Sequence, residues 1–136
     1  MDLRGDYSTL HGRLGLQPAE NAVDDELTVA QHLTIFARVA GIPDQDRQRL
    51  VAEMIEDCYL TGLEHEKAGE LSHGNLRRLT LGMALIGRPK LVILNSPLTG
   101  VDPLHKRRLI KTILKYTEGR SLVMSTRDVQ SAEIIG

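Results

Sequence analysis

Three short polar stretches fall where helical and strand patterns change over, and their residue types decide what chemistry the chain can do. Ser72 stands just before a helical pattern, followed by His73, Gly74 and Asn75. Free N–H groups and the dipole at such a helix start favour an anion, so this tetrad is a candidate anion site. Ser72 also suits a plain helix cap. Asn95 and Ser96 close a short apolar run, Leu91-Val92-Ile93-Leu94. A neutral amide and a hydroxyl can cap a turn there, but serine is no base at neutral pH. Asp102 precedes Pro103, the pattern of an N-cap with proline at the first helical position. His11, His32, His65 and His105 are scattered without metal-ligand spacing, which predicts solvated histidines and no metal site. Arg77, Arg78, Lys106, Arg107 and Arg108 are expected on solvated helix faces.

The elements that position these residues follow from periodicity. Val29, Leu33, Phe36 and Ala40 fall at helical spacing, with Thr28 and Gln31 as a capping box and Gly41-Ile42-Pro43 as the stop. Asp44 is the expected N-cap of a second helix, whose apolar face is Leu50, Val51, Met54, Ile55 and Cys58. After the charged link 64–70, Leu76, Leu79, Met83 and Ile86 line a third helix, stopped by Gly87-Arg88-Pro89. The run 91–94 suits a strand buried on both faces of a parallel sheet. Leu109, Ile110, Ile113 and Leu114 line the next helix, and Ser121-Leu122-Val123-Met124 form another strand. Asp128 caps a final helix. Strand, helix, strand, helix predicts an α/β fold with parallel strands, and the middle of the chain is a helical insertion.

Bulk composition narrows the function. The 136 residues suffice for one compact core. Net charge is −1, from 17 basic and 18 acidic residues, so no broad basic field draws in nucleic acid or an anionic membrane. Tyr7, Phe36, Tyr59 and Tyr116 are the only aromatics, too few and too dispersed for a base-stacking platform. No segment approaches the length of a membrane span, so direct insertion is not expected. Cys58, the only cysteine, reads as a small buried apolar side chain, and a reducing compartment fits.

Leu71-Ser72-His73-Gly74-Asn75, the helix 76–86, and Leu91 through Asn95-Ser96-Pro97-Leu98-Thr99-Gly100-Val101-Asp102-Pro103 together resemble the stretch from signature to Walker B strand and D-loop in ABC ATPases. Asp25-Glu26-Leu27-Thr28-Val29 and Gly100-Val101-Asp102-Pro103 resemble subfamily A, the lipid-exporting ABC transporters. The resemblance implies a partial RecA-like P-loop NTPase core carrying the inserted ABC helical subdomain. It divides the chain into 1–24, a remnant of core and Q-loop region; 25–72, the helical subdomain ending in the signature; and 73–136, the second half of the core. It further implies ATP and Mg²⁺ as ligands, a second nucleotide-binding domain and a membrane domain as partners, and a place on the cytoplasmic side of a membrane. Ser72, His73, Gly74 and Asn75 would face nucleotide held by the opposite domain, and Asp102 would hold the D-loop position.

The departures from the pattern bear on catalysis. The phosphate-binding run G-x-x-x-x-G-K-[ST] does not occur in the sequence; in the family it lies upstream of this stretch. Asn95 and Ser96 replace the Walker B Asp and Glu, the partners of Mg²⁺ and of the attacking water. Ala19 stands where the Q-loop glutamine is expected, with Gln17 two residues out of register. Arg127 stands in place of the switch histidine, and His73 in place of the first signature glycine. These positions predict no intact catalytic residue, hence a non-hydrolysing, structural or regulatory segment. The alternatives are an active ATPase whose phosphate-binding portion lies outside this chain, and a decayed fragment without activity.

Overall fold

The computed structural model describes residues 14–18 and 20–125. It contains β1 (Leu14–Gln17), α1 (Val29–Val39), α2 (Asp44–Asp57), a 3-10 turn (Ala68–Glu70), α3 (His73–Leu85), β2 (Leu91–Asn95), α4 (Pro103–Thr117) and β3 (Ser121–Ser125). The three strands form one parallel sheet in the order β1-β2-β3. The register sets Gln17 beside Leu94, and Asn95 beside Ser125. The expected α/β layout with a helical insertion is therefore present. The final helix expected after Asp128 lies outside the described residues.

Local chemistry accounts for the helix ends. The capping box on α1 is complete: Gln31 N donates to Thr28 Oγ1 at 3.1 Å, and Thr28 N to Gln31 Oε1 at 2.8 Å. Gly41 supplies the left-handed residue that ends the helix, at φ 85°. Pro43, not Asp44, is the N-cap of α2 and makes no side-chain cap bond; Asp44 is instead its first helical residue and pairs with Arg47 at 2.6 Å. An acidic first turn complements the helix dipole whether or not the cap itself is polar. Asp102 caps α4 as expected, with Pro103 inside the first turn.

The helical layer packs where side chains are smallest. A Cβ on Gly82 would lie 3.2–3.3 Å from Met54 Cγ, Cys58 Sγ and Leu33 Cδ2, so α1, α2 and α3 converge on that glycine. Gly15 has even less room: a Cβ there would overlap the carbonyl oxygen of Ala84, which lets β1 lie directly on α3. Leu33, Leu79, Leu81, Leu85, Leu94, Leu109 and Ile113 are fully buried. A clasp ties α2 to α4: Tyr116 Oη donates to Asp57 Oδ2 at 2.6 Å, Lys115 Nζ donates to the same oxygen at 2.8 Å, and Thr112 Oγ1 donates to the Asp57 carbonyl at 2.7 Å.

Several periodicity expectations need correction. Phe36 is 38% exposed; the buried face of α1 is Val29, His32, Leu33 and Ala37, rotated by one position. Phe36 instead lines an open apolar cleft of about 460 Å³ with Leu14, Leu16, Val39, Met83 and Ile86. Leu114 is likewise exposed, because α4 turns Leu109, Ile110, Ile113 and Tyr116 inward. β2 is not buried on both faces: Val92 and Leu94 are buried while Leu91 is exposed. Helices cover one side of the sheet among the described residues, so Leu16 and Val123 are more than half exposed on the other. His32 is not solvated; Asp24 N donates to its Nε2 at 3.0 Å, and its Nδ1 donates to the Thr28 carbonyl at 2.8 Å.

Cys58 is fully buried, in line with its reading as a packing residue. Burial pushes its thiol from 9.0 up to about 12. The unfolded chain therefore gives up the proton first, so this contribution to stability is whole below pH 9 and is lost as pH rises toward 12. Tyr116, held above its ordinary 10.0 by burial and by Asp57, adds to the decline at higher pH. Urea melts between pH 8 and 10 are expected to show stability falling from about pH 9, and Cys58→Ala to flatten that slope while lowering the plateau.

Candidate nucleotide-facing site

The carboxyl ends of parallel strands are where α/β folds place ligands. Here Gln17, Asn95 and Ser125 end the three strands, and Ser96 follows Asn95. Ser125 Oγ donates to Asn95 Oδ1 at 2.9 Å, and Ser96 N donates to the Ser125 carbonyl at 2.7 Å. Gln17 is fully buried, its amide donating to the Arg77 carbonyl at 3.0 Å and to Thr80 Oγ1 at 2.9 Å. It is built into the α3 contact, which disfavours its use as a displaced Q-loop glutamine. Ala19 and Arg127 lie outside the described residues.

The strand-end side chains are neutral amides and hydroxyls. Asn95 Oδ1 already accepts a hydrogen bond, and no group of three His, Cys, Asp or Glu side chains placed to hold a metal ion occurs among the described residues. A hard divalent cation prefers carboxylate oxygens. This donor set does not fit Mg²⁺, and it holds no base of suitable pKa for a water. Ser96 also sits in the left-handed region, at φ 49°, and its carbonyl accepts from Thr99 N at 3.3 Å. The capped turn expected at Asn95-Ser96 is thus present, in a conformation unusual for a non-glycine residue.

The second half of the site is the start of α3. Ser72 caps it, its Oγ accepting from Asn75 N at 3.2 Å, and Ser72 and His73 are exposed. Gly74 lies so close to the 97–100 turn that a Cβ there would stand 3.1 Å from the Gly100 carbonyl oxygen. The His73 imidazole folds over Gly100, in space that a side chain on Gly100 would need. The bulk of His73 is thereby directed onto the turn. Asn75 Oδ1 accepts from Arg78, whose other nitrogen donates to the Tyr59 carbonyl at 2.6 Å. Asp102 is exposed two residues beyond Gly100, with Oδ1 accepting from His105 N at 3.0 Å and Oδ2 facing His105 Nδ1 at 2.5 Å. Both N–H groups hold its carboxyl below the usual range. The structure therefore sets the predicted tetrad beside the turn leading to Asp102.

Arg77 overturns its expected place on a solvated face. It is 1% exposed, with burial lowering its pKa from the ordinary guanidinium value. Nη1 donates to the Pro18 carbonyl at 2.9 Å and to Asn21 Oδ1 at 3.1 Å; Nη2 donates to the Asn95 carbonyl at 2.9 Å and the Ser96 carbonyl at 3.1 Å. A sequence signal for this existed. Leu79 through Ile86 is apolar or small almost throughout, and a helix without a polar side is a buried one. Arg78 is also only partly exposed, while Arg107 and Arg108 are exposed as expected.

The parallel sheet, the inserted helices and a site split between strand ends and a capped helix start define the class of ABC ATP-binding domains. The fold superposes on the ATP-binding subunit of an ABC transporter with a TM-score of 0.87 over 98% of this chain and 56% of that one, at 21% identity. It also superposes on a dimeric ATP-binding cassette in a post-hydrolysis state bound to ADP and Pi, with a TM-score of 0.86 over 97% of this chain and 60% of that one, at 17% identity. Residues 2–99 match the family model described as ABC transporter, and the chain belongs to that family. Similar proteins include the human ATP-binding cassette sub-family A member 2, 33% identical over 99% of this chain. The human retinal-specific phospholipid-transporting ATPase ABCA4 is 36% identical over the same share. The chain spans about 6% of the length of these two curated relatives.

Ser96 is an internal test of the strand-end geometry. Ser96→Gly removes the left-handed strain, worth about 1–2 kcal/mol, against a glycine entropy cost of about 0.5–1 kcal/mol. A net gain of up to about 1 kcal/mol is expected in chemical denaturation, whereas Gly100→Ala, at φ 79° and against His73, is expected to lose at least about 1 kcal/mol.

Proposed function

We infer that the chain is part of an ABC ATP-binding domain of the sub-family A kind whose own site does not hydrolyse ATP and which serves a partner domain. The observation that supports this most directly is the neutral strand end, where Asn95 and Ser96, an amide and a hydroxyl, occupy the turn. A positioned base contributes about 10²–10⁴-fold to such a reaction, and loss of a metal partner compounds the deficit. The α3 start keeps what a partner's nucleotide requires: a capped helix end, exposed Ser72, and Gly74 allowing close backbone approach. In this reading Ser72, Gly74 and Asn75 present the helix end to phosphate held by a second nucleotide-binding domain. Asp102 meets that domain alongside them, and His73 lies back on Gly100.

The membrane domain and cytoplasmic face belong to the same reading. No described helix is long and apolar enough to cross a membrane, so a membrane link would run through other chains or segments. The name of the human retinal-specific relative gives phospholipid as its cargo, which makes a lipid the proposed class of cargo here.

The test joins a phosphate-binding loop to the chain. In a chimera placing the corresponding segment of a hydrolysing relative ahead of Leu14, ATP is expected to bind with turnover at background. Asn95→Asp combined with Ser96→Glu is expected to raise turnover by at least about 10²-fold. Rapid turnover before those two changes would overturn the non-hydrolysing reading, and no rise in turnover after them, in a chimera that binds Mg-ATP, would overturn the assignment of the deficit to Asn95 and Ser96.

A further inference from the structure

The Arg77 guanidinium joins three segments that are far apart in sequence. It stands on α3 one turn beyond the Ser72–Asn75 tetrad. One of its nitrogens holds the loop after β1, through Pro18 and Asn21; the other holds the step after β2, through Asn95 and Ser96. The α3 backbone at the same residue is held in turn, since Gln17 donates to the Arg77 carbonyl. A planar fork with fixed N–H directions keeps its acceptors in a set relation, which a lysine ammonium on a flexible stem cannot do. Among the described residues these acceptors are three main-chain carbonyls and one amide, so the tie to them fixes backbone position. It also braces a strained residue, because one of its acceptors is the carbonyl of Ser96 at φ 49°.

We propose that Arg77 is a positioning residue that couples the start of α3 to both strand-end loops, so that a displacement of the Ser72–Asn75 end is transmitted to the chain's own strand-end site. The coupling rests on contacts within the chain and needs no nucleotide. Its failure would therefore be distinguishable from failure of the non-hydrolysing reading.

The test is a double-mutant cycle on the 136-residue chain between Ser72→Ala, which uncaps α3, and Ser96→Gly, which relaxes the strand-end step. Ser72 and Ser96 share no hydrogen bond, and independent sites add. Their combined effect on the unfolding equilibrium constant is expected to be non-additive by at least about threefold, and to become additive in Arg77→Met and in Arg77→Lys. Lysine keeps the charge, so loss of coupling in Arg77→Lys separates positioning from simple charge burial. Additivity in the unmodified background would overturn the proposal; so would coupling that survives in Arg77→Lys, since the Gly74–Gly100 contact would then be its carrier. Amide hydrogen exchange on the unmodified chain gives a readout that does not depend on the variants folding. Asn75 and Ser96 are expected to open as one unit with a shared denaturant dependence. Separate opening of Ser96 and Asn75 would count decisively against the tie.

Discussion

A buried guanidinium with oxygen acceptors on two loops is the constraint on which the geometry of the site depends. Burying a cation unpaired is costly, and hydrogen bonds from a charged donor are each worth about 1.5–3 kcal/mol against that cost. Arg77 meets this with carbonyls from the loops that leave the paired strands β1 and β2. Pairing brings the two strand ends together, and each loop then leads away into its own crossover. The guanidinium bridges them beyond the last paired residues, and one of its acceptors is the carbonyl of Ser96, at φ 49°.

The legible parts of the fold were those set by local chemistry. The α1 capping box, Gly41, the Asp102-Pro103 start of α4 and the parallel strands follow from residue types within a few positions of one another. What escaped depended on the other side of a contact. Phe36 and Leu114 fit the helical period but lie one step off the buried face, which packing against α2, α3 and β1 decides. β2 looked suited to burial on both faces because its four residues are all apolar, yet only one side is covered among the described residues. Exposure of Leu14, Leu16, Leu91 and Val123 there makes an unusually apolar outer face for a parallel sheet.

The candidate site divides in the same way. Ser72 and Asp102 were legible because a cap is a local device and their side chains bond within three residues. Arg77 was hidden because a single arginine in a helical pattern defaults to a solvated place. Its true partners lie 18 to 59 residues away, and only the apolar sequence that follows it in α3 hinted at burial. Gln17 reads as a near-miss to a functional glutamine by sequence, while its side chain serves the same α3 contact from the other direction.

The manner in which Arg77 holds the strand end separates the shape of that end from its side-chain chemistry. Its bonds reach the carbonyls of Asn95 and Ser96, and Ser96 N reaches the Ser125 carbonyl. None of these contacts reads the identity of the side chain at 95 or 96. A carboxylate, an amide or a hydroxyl at those positions leaves the backbone scaffold satisfied equally well, whereas metal binding and proton abstraction depend wholly on the side chain. The start of α3 differs: there Ser72 is itself the cap, and Gly74 is the only residue that clears the Gly100 carbonyl without displacing it. At that end the side chains themselves hold the scaffold, whereas at the strand end the backbone does.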